Sequence, residues 1–303
     1  MVWALAALGL AFGLGSREVR RFESLAANDI ASVLNGESKA VRVRSELNGF
    51  VGGALGDMKR VTIEARSFQT DSLPLFCEPE RGTKGKVREL QIRLSDFVLG
   101  GLRVESLEAT IPDCRFDYDL AVRERKIRLS RSGVGEGRVR LKEDDLEAFI
   151  LRKFREIKRV DVRLDRNRVY VKGFGEFIVV QTDFEVIAKL QPVEGNKLLL
   201  TDAKVFFGEF VADPLVRDLV LRTLNPVVDI DADLGLNGAM QMEGLEIADG
   251  KVEAWGKAKI PDRPKPQGNL EWSLSNAPRT SETSIAAILF SAPRTVSHRS
   301  PQG

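Results

Sequence analysis

Val160-Asp161-Val162-Arg163-Leu164 alternates apolar and charged residues with a period of two. Val41-Arg42-Val43-Arg44, Phe184-Glu185-Val186 and Leu245-Glu246-Ile247 do the same. Successive side chains of an extended chain point to opposite faces, so each segment reads as a strand with one wet and one apolar face. Such segments fill most of residues 38–260, interrupted after the N-terminus by only two amphipathic helices. Many one-sided strands must share an apolar interior. With no catalytic constellation on them, that interior is the leading candidate for the functional site.

Working outward, the apolar residues Val19, Phe22, Leu25, Ala26, Ile30, Val33 and Leu34 recur at helical spacing, and Asn35-Gly36 is a stop signal. This predicts a helix over 18–34. Strands are expected at about 39–46, 59–66, 87–94, 102–111, 115–122 and 125–130, with a loop from Leu73 to Lys86 marked by Pro74, Pro79 and Gly82-Thr83-Lys84-Gly85. Gly133, Gly135 and Gly137 break the pattern and lack the spacing of a phosphate loop, so they read as a flexible linker. A helix is predicted over 142–157, with acidic residues in its first turn and basic ones in its last, as the helix dipole favours. Strands at 159–164, 167–173, 176–190 and 197–208 follow. Asp213 as N-cap and Pro214 as first residue open a helix over 214–224. Val228, Ile230, Ala232, Leu234 and Leu236 alternate as a strand would, and Asp249-Gly250 predicts a type I′ hairpin turn.

Composition narrows the function classes. The chain has 303 residues, 43% hydrophobic and 30% charged, which describes a globular protein. Its net charge of +2 gives no support to nucleic acid as a partner. The one histidine, His298, sits in a polar tail, which excludes a core His base and a His-rich zinc site. No catalytic residue, metal site or cofactor is expected. Asp229, Asp231 and Asp233 read as the wet face of a strand, and Glu143-Asp144-Asp145 as helix-start chemistry. Cys77 and Cys114 lack metal-ligand spacing and read equally as a disulfide or as two thiols, depending on compartment.

Residues 2–14 carry no charge but fall short of the ~20 residues that span a bilayer. They read as a targeting or anchor segment over 1–16, against an interfacial or a buried helix. Arg17, Arg20 and Arg21 follow directly, which favours the cytoplasmic side for the following domain and conflicts with export. From Pro261 to the end, Pro, Ser, Thr and Arg dominate and a disordered tail is expected, with Ile285–Phe290 an unexplained apolar patch.

Three stretches together carry a resemblance. Leu141-Lys142-Glu143-Asp144-Asp145-Leu146 ends a strand and opens a helix. Leu224-Asn225-Pro226-Val227-Val228-Asp229 follows a second helix. Leu245-Glu246-Ile247-Ala248-Asp249-Gly250-Lys251-Val252 forms the closing hairpin. With an opening in which Gly52-Gly53-Ala54-Leu55-Gly56 leads into Val61-Thr62-Ile63-Glu64-Ala65, this order resembles the LmeA-like phospholipid-binding family of bacterial envelope proteins. The resemblance covers about residues 20–260. It implies an α+β fold similar to the tubular lipid-binding proteins, with a long, curved antiparallel sheet wrapped around amphipathic helices and an elongated apolar cavity. It also implies phospholipid and a membrane surface as partners, no catalytic residues, and a place in the cell envelope.

On that reading the cavity is expected between the 142–157 helix and the strands at 159–208. Leu146, Phe149, Ile150 and Phe154 would line it from the helix. Phe177, Val179, Phe184 and Val186, with Leu198, Leu200, Val205 and Phe207, would line it from the strands. Ordinary core packing explains the same stripes, and a lipid cavity is an incompletely filled core. Arg152, Lys153, Arg155, Lys158 and Arg159 are the expected headgroup contacts, against a simple role in complementing the helix dipole. The function expected is a non-enzymatic lipid carrier at the membrane. The alternative is a structural envelope protein with a fully packed interior.

Overall fold

A computed structural model describes residues 19–49, 56–73, 77–124, 126–177 and 180–261. The chain divides into two units, Met1–Lys265 and Pro266–Gly303, and every described residue belongs to the first. The 1–16 segment and nearly all of the expected tail lie outside the described residues. Among these residues no helix is long and apolar enough to cross a membrane.

The order is a helix over 19–33 (α1), then β1 (Ala40–Leu47), β2 (Asp57–Arg66), β3 (Gln69–Thr70), β4 (Gly85–Leu99) and β5 (Leu102–Phe116). A short helix α2 (Tyr118–Arg123), β6 (Leu129–Arg131) and β7 (Gly135–Lys142) lead into helix α3 (Glu143–Lys153). The second half holds β8 (Ile157–Asp165), β9 (Arg168–Phe177), β10 (Val180–Val193), β11 (Lys197–Phe207) and β12 (Phe210–Val211). Helix α4 (Pro214–Leu224), β13 (Val228–Asp229), β14 (Met240–Ala248) and β15 (Lys251–Ala258) close the order. The fold is α+β and mostly sheet, as expected, with the larger sheet strongly curled.

That larger sheet runs β1-β2-β4-β5-β7-β15-β14, with β3 and β6 at its margins. The smaller runs β12-β11-β10-β9-β8, with β13 on β11. The pairing is antiparallel except where β2 and β3 run parallel to β4, because the 67–84 connection crosses back instead of turning in a hairpin. The outer face of the larger sheet is a lattice of opposite charges. Arg42, Glu64, Arg93, Glu108 and Arg138 lie side by side across five strands. Alternating signs keep that face soluble and turn the apolar residues inward.

Several elements differ from expectation for local reasons. The expected strand at 115–122 is instead the end of β5 and then α2, because the Asp117 carboxylate accepts a hydrogen bond from the Leu120 amide at 2.9 Å and caps a helix. Gly135 and Gly137 are not a linker but part of β7. A Cβ at Gly135 would lie 1.9 Å from the Thr110 carbonyl oxygen, so close strand approach is what the glycine permits there. The alternation at 228–236 is a strand for only two residues and then a chain of turns. Its aspartates build those turns. Asp229 accepts from the Asp231 and Ala232 amides at 3.0 and 2.9 Å, and Asp231 accepts from the Gly238 amide at 2.8 Å.

α3 joins the two sheets and seals an edge. β8 is the last strand of its sheet, and its Leu164 and Val162 amides donate to the carboxylates of Glu143 and Glu147 at 3.0 and 3.1 Å. Two acidic side chains of the helix thus complete hydrogen bonds that an exposed edge would leave open to another strand. α4 carries the predicted Asp213 cap and Pro214 start, and Asn225 beyond its end pairs with both backbone groups of Leu200 at 2.8 and 3.1 Å.

Candidate functional site: an apolar cavity beneath the N-terminal helix

Four rows of inward side chains cross the curled sheet. They are Met58-Val87-Cys114, then Val61-Leu90-Ile111, then Val43-Ile63-Ile92-Ala109-Gly137, then Val41-Ala65-Leu94-Leu107-Val139. In the third row side-chain size falls from Ile63 and Ile92 to Ala109 and Gly137, so the floor sinks toward β5 and β7. α1 lies over this floor, with Phe22, Ala26, Ile30 and Leu34 facing it. Ala26 brings little volume, and the helix therefore roofs the hollow without filling it. What remains is a cavity of about 180 Å³ whose walls are almost wholly apolar side chains.

The cavity is long for its volume. It reaches from Met58 to Ala65 along β2 and from Val87 to Leu94 along β4. Seven residues of strand span about 23 Å at ~3.3 Å each. Among the described residues the walls hold no cluster of metal ligands, and the thiol in them, Cys77, is buried. Such a space is suited to one extended hydrocarbon chain, which needs only to be dry.

Between the 142–157 helix and the 159–208 strands the expected lining side chains sit in a buried hydrophobic cluster. Leu146, Phe149, Ile150 and Phe154 are buried in one cluster with Phe184, Val186, Leu198, Leu200 and Val205, and Phe207 packs on its margin. None of these lines the cavity beneath α1. Val220 and Leu224 of α4 and the following Val227 and Val228 belong to the same buried cluster. Of Phe177 only the backbone is described, paired with Val180, and Val179 lies outside the described residues.

The five expected headgroup cations sit at the end of α3 and the start of β8, away from the cavity wall. Lys153 is held inside the fold, donating to the Pro226 carbonyl at 2.8 Å and to Asp233 at 2.5 Å. Arg152 lies over the Phe149 ring, 5.5 Å from its centroid. Lys158 pairs with Glu176 at 3.2 Å and Arg159 with Asp183 at 3.0 Å, both on the surface. Arg155 is exposed. Only Arg159 and Phe184 share a depression, a shallow one of mixed charge on the smaller sheet.

Of the charged residues at its border, Asp29 lies on α1 and Lys259 follows β15, while Glu108 and Arg138 turn their side chains to the outer face. Sequence reading passed over this set and over the apolar floor. The available signal was the run of small residues, Ala26, Ala65, Ala109 and Gly137, at positions where a filled core would carry larger ones.

Both cysteines are buried, Cys77 in the cavity wall and Cys114 beside it on the floor. Burial, then the neighbouring Cys77 sulfur, pushes the Cys114 thiol up to about 12. A thiol whose folded value is raised contributes stability that is complete below its ordinary value near 9 and is lost as pH climbs toward 12. Cys114 is therefore expected to resist iodoacetamide at pH 8 in the folded protein and to react once guanidinium unfolds it. Mass mapping of the labelled peptide reads the result, and rapid labelling of the folded protein would contradict this burial.

A family model described as LmeA-like phospholipid-binding matches residues 81–256, more than half of the chain. The match begins just before β4 and ends within β15, so β4, β5 and β7 lie inside it while α1, β1 and β2 precede it. No curated protein and no solved structure matches the chain.

Proposed function

Since the chain belongs to the LmeA-like phospholipid-binding family, we propose that it is a non-enzymatic carrier that holds a phospholipid by an acyl chain laid between α1 and the curled sheet. The observation that carries this reading is the cavity: dry, apolar, and about as long as an extended fatty-acyl chain. Each methylene moved from water into it contributes about 0.8 kcal/mol, so ten methylenes contribute about 8 kcal/mol with no directional contact. The 180 Å³ cavity is close in size to one of ~150 Å³ that admits a benzene. A complete chain therefore requires α1 to move outward, and α1 is the wall without a sheet ladder to hold it.

The carrier would work at a membrane surface of the cell envelope, a placement supported by the uncharged run at 2–14 and by the lipid ligand itself. Mass spectrometry of the purified full chain under native conditions tests the function. Phospholipid should co-purify, or be taken up from added vesicles, at one molecule per chain. A lipid-free protein that also fails to take up an acyl-labelled fluorescent phospholipid would favour a scaffold with no ligand.

A further inference from the structure

Arg128 stands at the rim of the cavity, between Ile127 and Leu129, both of which line it. Its side chain is only 16% exposed. Nη1 donates to the Asp29 carboxylate of α1 at 2.9 Å and to the Ile127 carbonyl at 2.7 Å, and Nε donates to Glu78 at 3.0 Å. Glu78 also accepts from Arg81. Arg128 thus holds α1 at the rim through Asp29 and the 78–81 segment through Glu78. If α1 lifts away and takes Asp29 with it, Arg128 loses one of these two carboxylate partners, and the Nη1 donor that faced it is released.

We propose that Arg128 is the anchor for the phosphodiester of the bound lipid, and that Asp29 occupies the phosphate's position until α1 opens. The inference rests on the reading of the cavity as an acyl-chain site and adds the headgroup end to it. Opening α1 creates the room for the chain and, in the same movement, takes the Asp29 carboxylate away from Arg128 at the rim. A phosphodiester carries one negative charge and accepts the same donors that a carboxylate does. The planar guanidinium presents to the phosphate the Nη1 edge that Asp29 vacates. A lipid without phosphate enters the same cavity but supplies no anion in place of Asp29, so the rim discriminates phospholipids from neutral lipids of equal chain length.

The test compares uptake, by the full-length protein, of an acyl-labelled phosphatidylglycerol and of a diacylglycerol with the same label, each from vesicles. Arg128→Gln should weaken phosphatidylglycerol uptake by about tenfold to a hundredfold, the range of a charge-assisted hydrogen bond, and leave diacylglycerol uptake within about twofold. Asp29→Asn removes the competing charge and should strengthen phosphatidylglycerol uptake several-fold (~3–10). A gain of that sign is not what a damaged fold produces, so this variant decides the matter if Arg128→Gln fails to fold. Inorganic phosphate at millimolar concentration should compete only weakly, because it brings no chain. Equal loss for both lipids in Arg128→Gln, no gain in Asp29→Asn, or full inhibition by inorganic phosphate each overturns the proposal. Failure of the wild-type protein to take up diacylglycerol at all would instead overturn the cavity as the chain site.

Discussion

Ala109→Phe is expected to abolish lipid uptake while the protein stays folded. Ala109 is the fourth of five residues in the third floor row, with Ile92 on one side and Gly137 on the other. The substitution sends a phenyl ring upward toward α1. A cavity of ~150 Å³ accommodates benzene, so the 180 Å³ present here takes the ring without the ~1–3 kcal/mol strain that overpacking a filled core brings. The ring then blocks the channel halfway along. If it excludes five methylenes of the ligand, about 4 kcal/mol of binding is lost, close to a thousandfold in affinity. Fluorescent-phospholipid titration reads the loss, and thermal unfolding checks that the melting temperature is held or raised. Undiminished uptake by a folded Ala109→Phe protein would place the acyl chain elsewhere.

Phe149→Asp should have the opposite signature, with the fold itself failing. Phe149 is 3% exposed on α3, within the core that joins α3, α4 and the smaller sheet. Removing a buried phenylalanine side chain to alanine already destabilises by ~3–5 kcal/mol. An aspartate adds several kcal/mol more, since its carboxylate must be buried unpaired or take up a proton. Against a total stability of ~5–15 kcal/mol for a domain, that is enough to unfold it. Phe184→Asp, also 3% exposed, should behave in the same way. Circular dichroism of the purified variants, or their recovery as aggregate, distinguishes the outcomes. A well-folded Phe149→Asp protein that merely loses lipid would mean that the α3 region is an open lipid site after all.

These two outcomes separate what a pattern of residues can specify from what it cannot. Period-two alternation identifies strands because it depends only on the geometry of one extended chain. The caps at Asp213 and Pro214 and the turn at Asp249-Gly250 are equally local. Asp249 and Gly250 have φ of 51° and 69°, as a type I′ turn requires. Alternation misled at 228–236 because short-range aspartate–amide hydrogen bonds outcompeted a ladder with too few partners. It misled again at Gly135 and Gly137, where absent side chains serve neighbouring strands and not flexibility.

The site was the least legible part, and for a definite reason. An apolar face reads the same whether other side chains or a ligand will fill the space above it. The 146–154 stripe and the 61–65 and 90–94 stripes are equivalent as sequence. The first is buried in one cluster with α4 residues, whereas α1 arrives over the second with Ala26 at the contact and faces Ala109 and Gly137 across it. Likewise, five cations clustered at 152–159 drew attention, while the rim arginine is a single residue whose partners, Asp29 and Glu78, are 99 and 50 residues away in the chain.

The amino-acid sequence alone determined that the chain is a strand-rich α+β protein, where most of the described strands and the three longer described helices lie, and that no histidine precedes residue 298. Each of these follows from interactions within a few residues or from composition. Only the tertiary structure decided which of two apolar interiors is left unfilled and which charges meet at its mouth. Those depend on the volumes that distant segments bring to one place, and a cavity is the difference between them.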